Sequence, residues 1–210
     1  MIVERVTSGP CETNAYLVIS EKTKKSFVVD VPPDSAALLE KKAKDRGCSI
    51  EAIFLTHSHW DHMADAALLR KMAGANIYVH PLDAPNLQHP GTDKLPMFFA
   101  IQGAEPDLFL QEGDRISIGD LTLLVIATPG HTPGGVSLFL EKERVLFSGD
   151  TLFQGTMGRI DFPTSHPSSM WDSLTRLSTL PPETKVFAGH GEPTTIGKES
   201  WIRHAKERFS

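Results

Sequence analysis

The sequence predicts an α/β protein in which two β-sheets pack together with helices outside. Three observations carry this reading. Short apolar, β-branched runs fall into two groups along the chain. Each group is closed by a helical pattern. Residues 34–79 alternate helix, strand, helix, strand, which is how a sheet layered with helices is written in sequence. The length of 210 residues fits one domain spanning 1–210, since typical domains hold about 100–200.

The elements follow in order. Residues 14–20 (NAYLVIS) and 26–31 (SFVVDV) flank a lysine-rich tip, the pattern of a hairpin. A helix is expected over 34–46: Asp34 can cap it, Ala36, Leu39 and Ala43 share a face, and Gly47 stops it. The apolar strand 51–55 (EAIFL) runs into THSHWDHM, then a helix over 64–72 ended by Gly74, then a strand over 76–79. Residues 81–106 hold Pro81, Pro85, Pro90, Pro96 and Pro106 around an apolar cluster, Met97, Phe98 and Phe99. A stretch of that length without periodicity reads as a binding loop or lid, and Phe98 is the residue assigned to the substrate's apolar part. Strands return at 114–118, 121–127, 136–140 and 144–148. A helix over 168–177 begins at Ser168 as N-cap and lines up Met170, Trp171, Leu174 and Leu177. A last strand covers 185–188, and 197–209 reads as a terminal helix.

Composition narrows the function. Lys plus Arg is 21 against 26 Asp plus Glu, a net charge of −5 with no basic run, which argues against a nucleic-acid partner. No apolar run nears the ~18–20 residues that span a bilayer, so no membrane association is expected. Glu4 and Arg5 interrupt any apolar leader. Two cysteines, Cys11 and Cys48, make no disulfide framework, and a reducing, cytoplasmic setting is expected. The expected partner is a small-molecule substrate; oligomeric state has no signature in the sequence.

The chemistry lies in the histidines. His57, His59, Asp61 and His62 place four potential ligands within six residues, between an apolar strand and a helix. In extended backbone His57 and His59 project to one side, leaving Asp61 and His62 to face a second point. Three further strands are each followed directly by a ligand: His131 after LTLLVIA, Asp150 after RVLFS, and His190 after KVFA. Donors that close neighbouring strands converge on one sheet edge. Five His and two Asp, with no thiolate, suit zinc, iron or manganese. Seven donors exceed what one tetrahedral zinc with an open position needs; they match two metals if a carboxylate bridges. Asp61 is the residue assigned to orient an attacking water. Arg159 could hold a substrate anion, or pair with Asp161 or Glu192. His80, His89 and His204 read as structural or exposed, and His166 as a helix cap.

Taken in register, THSHWDH, PGHTPG, SGDTLF and GHG resemble the metallo-β-lactamase superfamily over nearly the whole chain. The resemblance implies an αββα sandwich, two mixed β-sheets flanked by helices. It implies a first metal site of His57, His59 and His131, a second of Asp61, His62 and His190, and Asp150 bridging two ions, zinc first among the candidates. CETNAYLV (11–18) and GDTLFQGTMGRIDFP (149–163) resemble short glyoxalase II-like hydrolases. These cleave acyl-glutathione thioesters with metal-activated water. A thiol of pKa ~8.5 leaves without a general acid. Full glyoxalase II carries an extra helical domain after the last metal histidine, where this chain has 20 residues, and the Lys and Tyr that contact glutathione after the bridging Asp are absent. Two alternatives stand beside this one. β-Lactam hydrolysis would use the same centre, with the missing export signal against it. Residues 158–162 (GRIDF) resemble the persulfide dioxygenase branch, which implies a single iron held by His57, His59 or a water, His131 and Asp150.

Overall fold

The computed structural model describes residues 1–209. The first sheet runs in chain order: β1 (Ile2–Ser8), β2 (Thr13–Ile19), β3 (Lys25–Val29), β4 (Ser49–Phe54), β5 (Asn76–Val79) and β6 (Leu108–Phe109). β1, β2 and β3 pair antiparallel through short turns, whereas β3–β4, β4–β5 and β5–β6 are parallel. Parallel neighbours need a crossover. Helix α1 (Ala36–Asp45) supplies the first, and α2 (Trp60–Met63) with α3 (Ala66–Ala73) the second. The second sheet holds β7 (Arg115–Ile118), β8 (Leu121–Ala127), β9 (Val136–Leu140), β10 (Val145–Gly149), β11 (Lys185–Ala188) and β12 (Thr194–Thr195), in the order β12-β11-β10-β9-β8-β7. Its one parallel pair, β10–β11, is bridged by α5 (Pro167–Leu177).

Three apolar layers hold the sandwich together. On β2 alternate residues serve different layers, because side chains alternate across a strand. Ala15, Leu17 and Ile19 pack with Leu39 of α1 and Leu69 of α3, while Tyr16 and Val18 pack across to Leu123, Leu138 and Phe147 of the second sheet. A strand buried on both faces reads as a continuous apolar run, as NAYLVI does. The third layer sets Leu146 and Val186 against Met170, Leu174 and Leu177 of α5. The expected αββα arrangement of two mixed sheets flanked by helices is the fold observed.

Local differences have physical causes. β1 was not anticipated as a strand; it is an edge strand, mostly half-exposed, and lacks a continuous apolar run. Asp34 does not cap α1. It lies outside the helix at φ +64°, Ser35 takes the cap position without a side-chain bond to the helix, and the Ala36 N–H donates instead to Asp65 Oδ2 at 3.1 Å. The helix expected over 64–72 is two pieces, α2 starting earlier at Trp60 and α3 ending at Gly74 in left-handed conformation. α5 starts at Pro167, with His166 rather than Ser168 in the cap position, proline being suited to a first turn. Within 81–106 lies a short helix, α4 (Ala84–Gln88). Residues 197–209 form 3₁₀ turns, Ile196–Lys198 and Ser200–His204, before α6 (Ala205–Phe209). Buried Glu199 interrupts them, accepting hydrogen bonds from Thr194 Oγ1, Trp201 Nε1 and the Gly155 N–H. Among the described residues no helix is long and apolar enough to cross a membrane.

Candidate metal centre

One end of both sheets gathers the predicted donors. β4 ends at Phe54, and the extended turn after it carries His57 and His59 before α2 begins. One turn of α2 then aims Asp61 and His62 at the same place. From the second sheet, His131 follows β8, Asp150 follows β10 and His190 follows β11. All seven come together. Three groups have their donor atoms within 4.8 Å of one another: His57–His59–His131, His57–His62–Asp150, and Asp61–His62–His190. Asp150 spans the groups, with Oδ2 3.3 Å from His131 Nε2 and 3.4 Å from His190 Nε2, and Oδ1 3.3 Å from His62 Nε2. Asp61 Oδ2 lies 3.4 Å from His190 Nε2 and 3.5 Å from His62 Nε2.

Outer partners hold four of these rings, and that sets which lone pairs face inward. His131 Nδ1 donates to the Arg159 carbonyl at 2.7 Å, and His190 Nδ1 to the Cys11 carbonyl at 3.1 Å. A carbonyl only accepts, so each Nδ1 carries hydrogen and each Nε2 offers a lone pair when the ring is neutral. His62 Nδ1 donates to Asp30 Oδ2 at 2.9 Å, and His57 Nδ1 lies 3.1 Å from Thr56 Oγ1. Such outer partners orient metal-binding imidazoles. His59 faces inward with Nδ1, 2.8 Å from His131 Nε2.

The residues fit a metal. His57 Nε2 and Asp150 Oδ1 are buried and have no hydrogen-bond partner. Orphaned buried groups of this kind cost about 1–3 kcal/mol each. Close imidazole nitrogens and carboxylates, with no thiolate, form a hard-to-borderline donor set. Burial, with neighbouring histidines, holds His57 well below its usual range and His59 at about 3. Burial opposes ionisation of Asp61 and Asp150, yet His62 and His190 hold Asp61 at about 2 and Asp150 well below the carboxylate range. Burial likewise opposes charge on His62 and His190, but the carboxylates win, raising His62 and bringing His190 to about 9.

Small residues make room. A Cβ on Gly189 would lie 2.2 Å from Asp150 Oδ1 and 2.6 Å from His62 Cε1. A Cβ on Gly158 would lie 2.1 Å from the Asp150 carbonyl oxygen and 3.0 Å from His131 Nδ1.

Beside the centre opens a cleft of about 300 Å³, walled by Trp60, Leu95, Phe153, Met157 and Phe162, with Cys11 and Arg159 at its margin. Arg159 pairs with Asp161 through two bonds of 2.8 and 2.7 Å and lies over the Phe162 ring. Glu192, its other expected partner, pairs with Arg5. Phe98 is 77% exposed and reaches the cleft only through Trp60, whose ring it meets edge-on at 5.8 Å. His166 is at the cap position of α5, bonded to Ser169 Oγ.

Four residues that sequence reasoning passed over support the centre. Asp30, inside an apolar strand pattern, holds His62 and also accepts from the Thr56 N–H and Oγ1, both at 2.8 Å. It ends β3 at φ +58°; the signal was again a polar residue directly after a strand. Thr13 donates to Asp61 Oδ2 at 2.7 Å, and Asn14 to the Ala188 and Gly191 carbonyls. Asp83, buried on the far side, accepts from the Ser58 N–H at 2.8 Å and the Gly134 N–H at 2.6 Å. It thus ties the loop of His57 and His59 to the loop of His131.

Comparison with known proteins agrees with this geometry. The family described as Metallo-beta-lactamase superfamily matches residues 8–190. The "Probable metallo-hydrolase YqgX" of Bacillus subtilis is 33% identical over 91% of this chain and 91% of its own length. A hydroxyacylglutathione hydrolase of Rhodopseudomonas palustris is 36% identical over 86% of this chain, which covers 64% of that longer protein. Among solved structures, BLEG-1 B3 metallo-beta-lactamase superposes with a TM-score of 0.87 at 35% identity, covering 94% of this chain and 96% of that one. TTHA1623, in a di-iron-bound form, gives 0.81 at 37% identity, covering 94% and 97%.

Proposed function

The chain belongs to the metallo-beta-lactamase superfamily, and on that premise we propose that it hydrolyses acyl thioesters of the hydroxyacylglutathione type at a centre of two metal ions, zinc first. At the coarser level it is a metal-dependent hydrolase of this superfamily with a His/Asp metal-binding cluster. The observation that carries the proposal is the meeting of seven donors in overlapping groups that share His57 and His62, with Asp150 reaching His62, His131 and His190.

In this reading His57, His59 and His131 would hold one ion, Asp61, His62 and His190 the other, and Asp150 would serve both. Bound metal supplies Lewis-acid activation of a water and of the carbonyl under attack. The chain's own residues do the rest. Thr13 pins one carboxylate oxygen of Asp61, so that the group is fixed to orient the attacking water. The Arg159 carbonyl and Asp30 hold His131 and His62 in the tautomers that face the centre. Trp60, Met157 and Phe162 give the acyl or thiol part an apolar wall. Arg159 is exposed, and solvent screens its pairing with Asp161, so a substrate carboxylate can compete with Asp161 for it. The leaving thiol, with a pKa of ~8.5, departs as thiolate, which suits a cleft offering no spare general acid. The similarity to the hydroxyacylglutathione hydrolase supports the substrate class.

The likeness to a B3 metallo-beta-lactamase favours a second reading, β-lactam hydrolysis at the same centre. Lactoyl-glutathione and a chromogenic cephalosporin, assayed side by side on protein of known metal content, decide between them. Faster turnover of the thioester with two ions per chain is expected. A preference for the cephalosporin would replace the thioesterase reading. One tightly bound iron, with oxygen uptake on glutathione persulfide, would replace hydrolysis itself.

A further inference from the structure

The segment CETNAYLV opens β2 and contributes no donor to the centre. Thr13 and Asn14 nevertheless reach two donors from opposite faces of the strand, as successive residues must. Thr13 is fully buried, and its hydroxyl donates to Asp61 Oδ2 at 2.7 Å. Asn14 brackets His190. Its backbone N–H donates to the Gly189 carbonyl at 2.7 Å, and its Nδ2 donates to the Ala188 and Gly191 carbonyls at 3.1 and 2.9 Å. Thr7 on β1, its register partner, donates to Asn14 Oδ1 at 2.8 Å. That bond fixes which end of the amide donates. The same turn supplies the Cys11 carbonyl that holds His190 Nδ1.

None of these bonds reaches His57, His59 or His131. Those three are held from elsewhere, by Thr56, by the Arg159 carbonyl, and through Asp83 on the Ser58 and Gly134 amides. Asp30 spans both sets, holding His62 and the Thr56 that faces His57, whereas the bonds from Thr13 and Asn14 fall on one set only.

We propose that Thr13 and Asn14 are positioning residues for the Asp61–His62–His190 position, so that the start of β2 sets how tightly the second metal is held while the first rests on other supports. The inference rests on the two-metal reading above. Loss of one outer partner commonly costs 10–100-fold in metal affinity, and here that loss falls on one binding step.

Metal-stripped full-length protein is titrated with zinc alone against a chromophoric chelator. The parent shows two steps. Thr13→Val, close in shape but without the hydroxyl, leaves the tighter step in place and weakens the other about 10–100-fold. Thr13→Ser restores it. Asn14→Ala gives the same split through His190, and serves if Thr13→Val fails to fold by circular dichroism. Equal weakening of both steps, no change in either, or failure of serine to rescue would overturn the assignment. Uptake of one ion by the parent would instead remove the two-metal reading beneath it.

Discussion

Replacing Asp83 by alanine tests whether the two ligand loops are held by one buried carboxylate. Asp83 is 2% exposed, and its oxygens accept the Ser58 and Gly134 amides at 2.8 and 2.6 Å. Both amides belong to buried residues. Alanine leaves the two N–H groups without an acceptor, at about 1–3 kcal/mol each, so the loss is about 2–6 kcal/mol. For a chain of this size about 1 kcal/mol moves the melting point by ~2–4 °C, giving a fall of roughly 5–20 °C. The assay is thermal unfolding of zinc-loaded protein, followed by circular dichroism at neutral pH. A pH series adds a sign. Burial raises the Asp83 carboxyl above its ordinary range, against the pull of the Ser58 amide, the Thr132 hydroxyl and the Gly134 amide. The folded state then holds a proton that the unfolded state has lost. Parent stability relative to the variant is therefore greatest below about pH 4, the unfolded value, and declines as pH rises through the folded one. A melting point within about 2 °C of the parent, or a difference that grows with pH, would refute the reasoning.

Gly189→Ala should lower zinc content per chain, measured by elemental analysis, because the added Cβ meets Asp150 Oδ1 at 2.2 Å. Gly191→Ala should keep its metal: nothing lies within 4 Å, and φ +73° costs only backbone strain, about 1–2 kcal/mol. Arg159→Ala should raise KM several-fold for an anionic thioester while zinc content stays at the parent value, since it is the residue's carbonyl that holds His131; unchanged KM would remove the side chain from substrate binding. Chelation should lower the melting point reversibly, because a ligand bound only by the folded state adds stability that grows with its concentration over Kd. Equal melting points with and without zinc would count against binding at this centre.

The layers were legible because their inner strands are continuous apolar runs. NAYLVI is buried on both faces and reads as a strand from either. The seven donors were legible for a related reason: each follows a strand closely, in the turn after it or in the first turn of the helix that comes next. What escaped notice has a weaker local signature. β1 pairs on one side only. Asp34 and Ser168 look like caps by type, but Asp65 and Pro167 take over those helix starts from outside the local pattern. Asp83 and Asn14 act across 51 and 174 residues of sequence, and no periodicity encodes such a span. Arg159 was open between substrate and partner, and the structure pairs it with Asp161.

A centre built from two sheets also needs the sheets registered against each other, and Tyr16 does this from directly beneath it. Its ring packs on Phe147 of β10 at 5.3 Å and on Phe187 of β11 at 5.2 Å, and those two rings stack at 5.5 Å. Its hydroxyl then donates to the Ala188 carbonyl at 2.6 Å, two residues before His190. Apolar contact alone would tolerate a small slide of one sheet over the other, because burial is non-directional. The hydroxyl is directional and removes that freedom where β11 delivers its ligand. Burial also holds the Tyr16 hydroxyl protonated far above its ordinary range, so the donor persists at any pH the fold survives. The order of β2 follows from this: Thr13 for Asp61, Asn14 for the His190 turn, Tyr16 for the strand that carries it. One strand of the first sheet thereby fixes how the second sheet presents His190 to the centre.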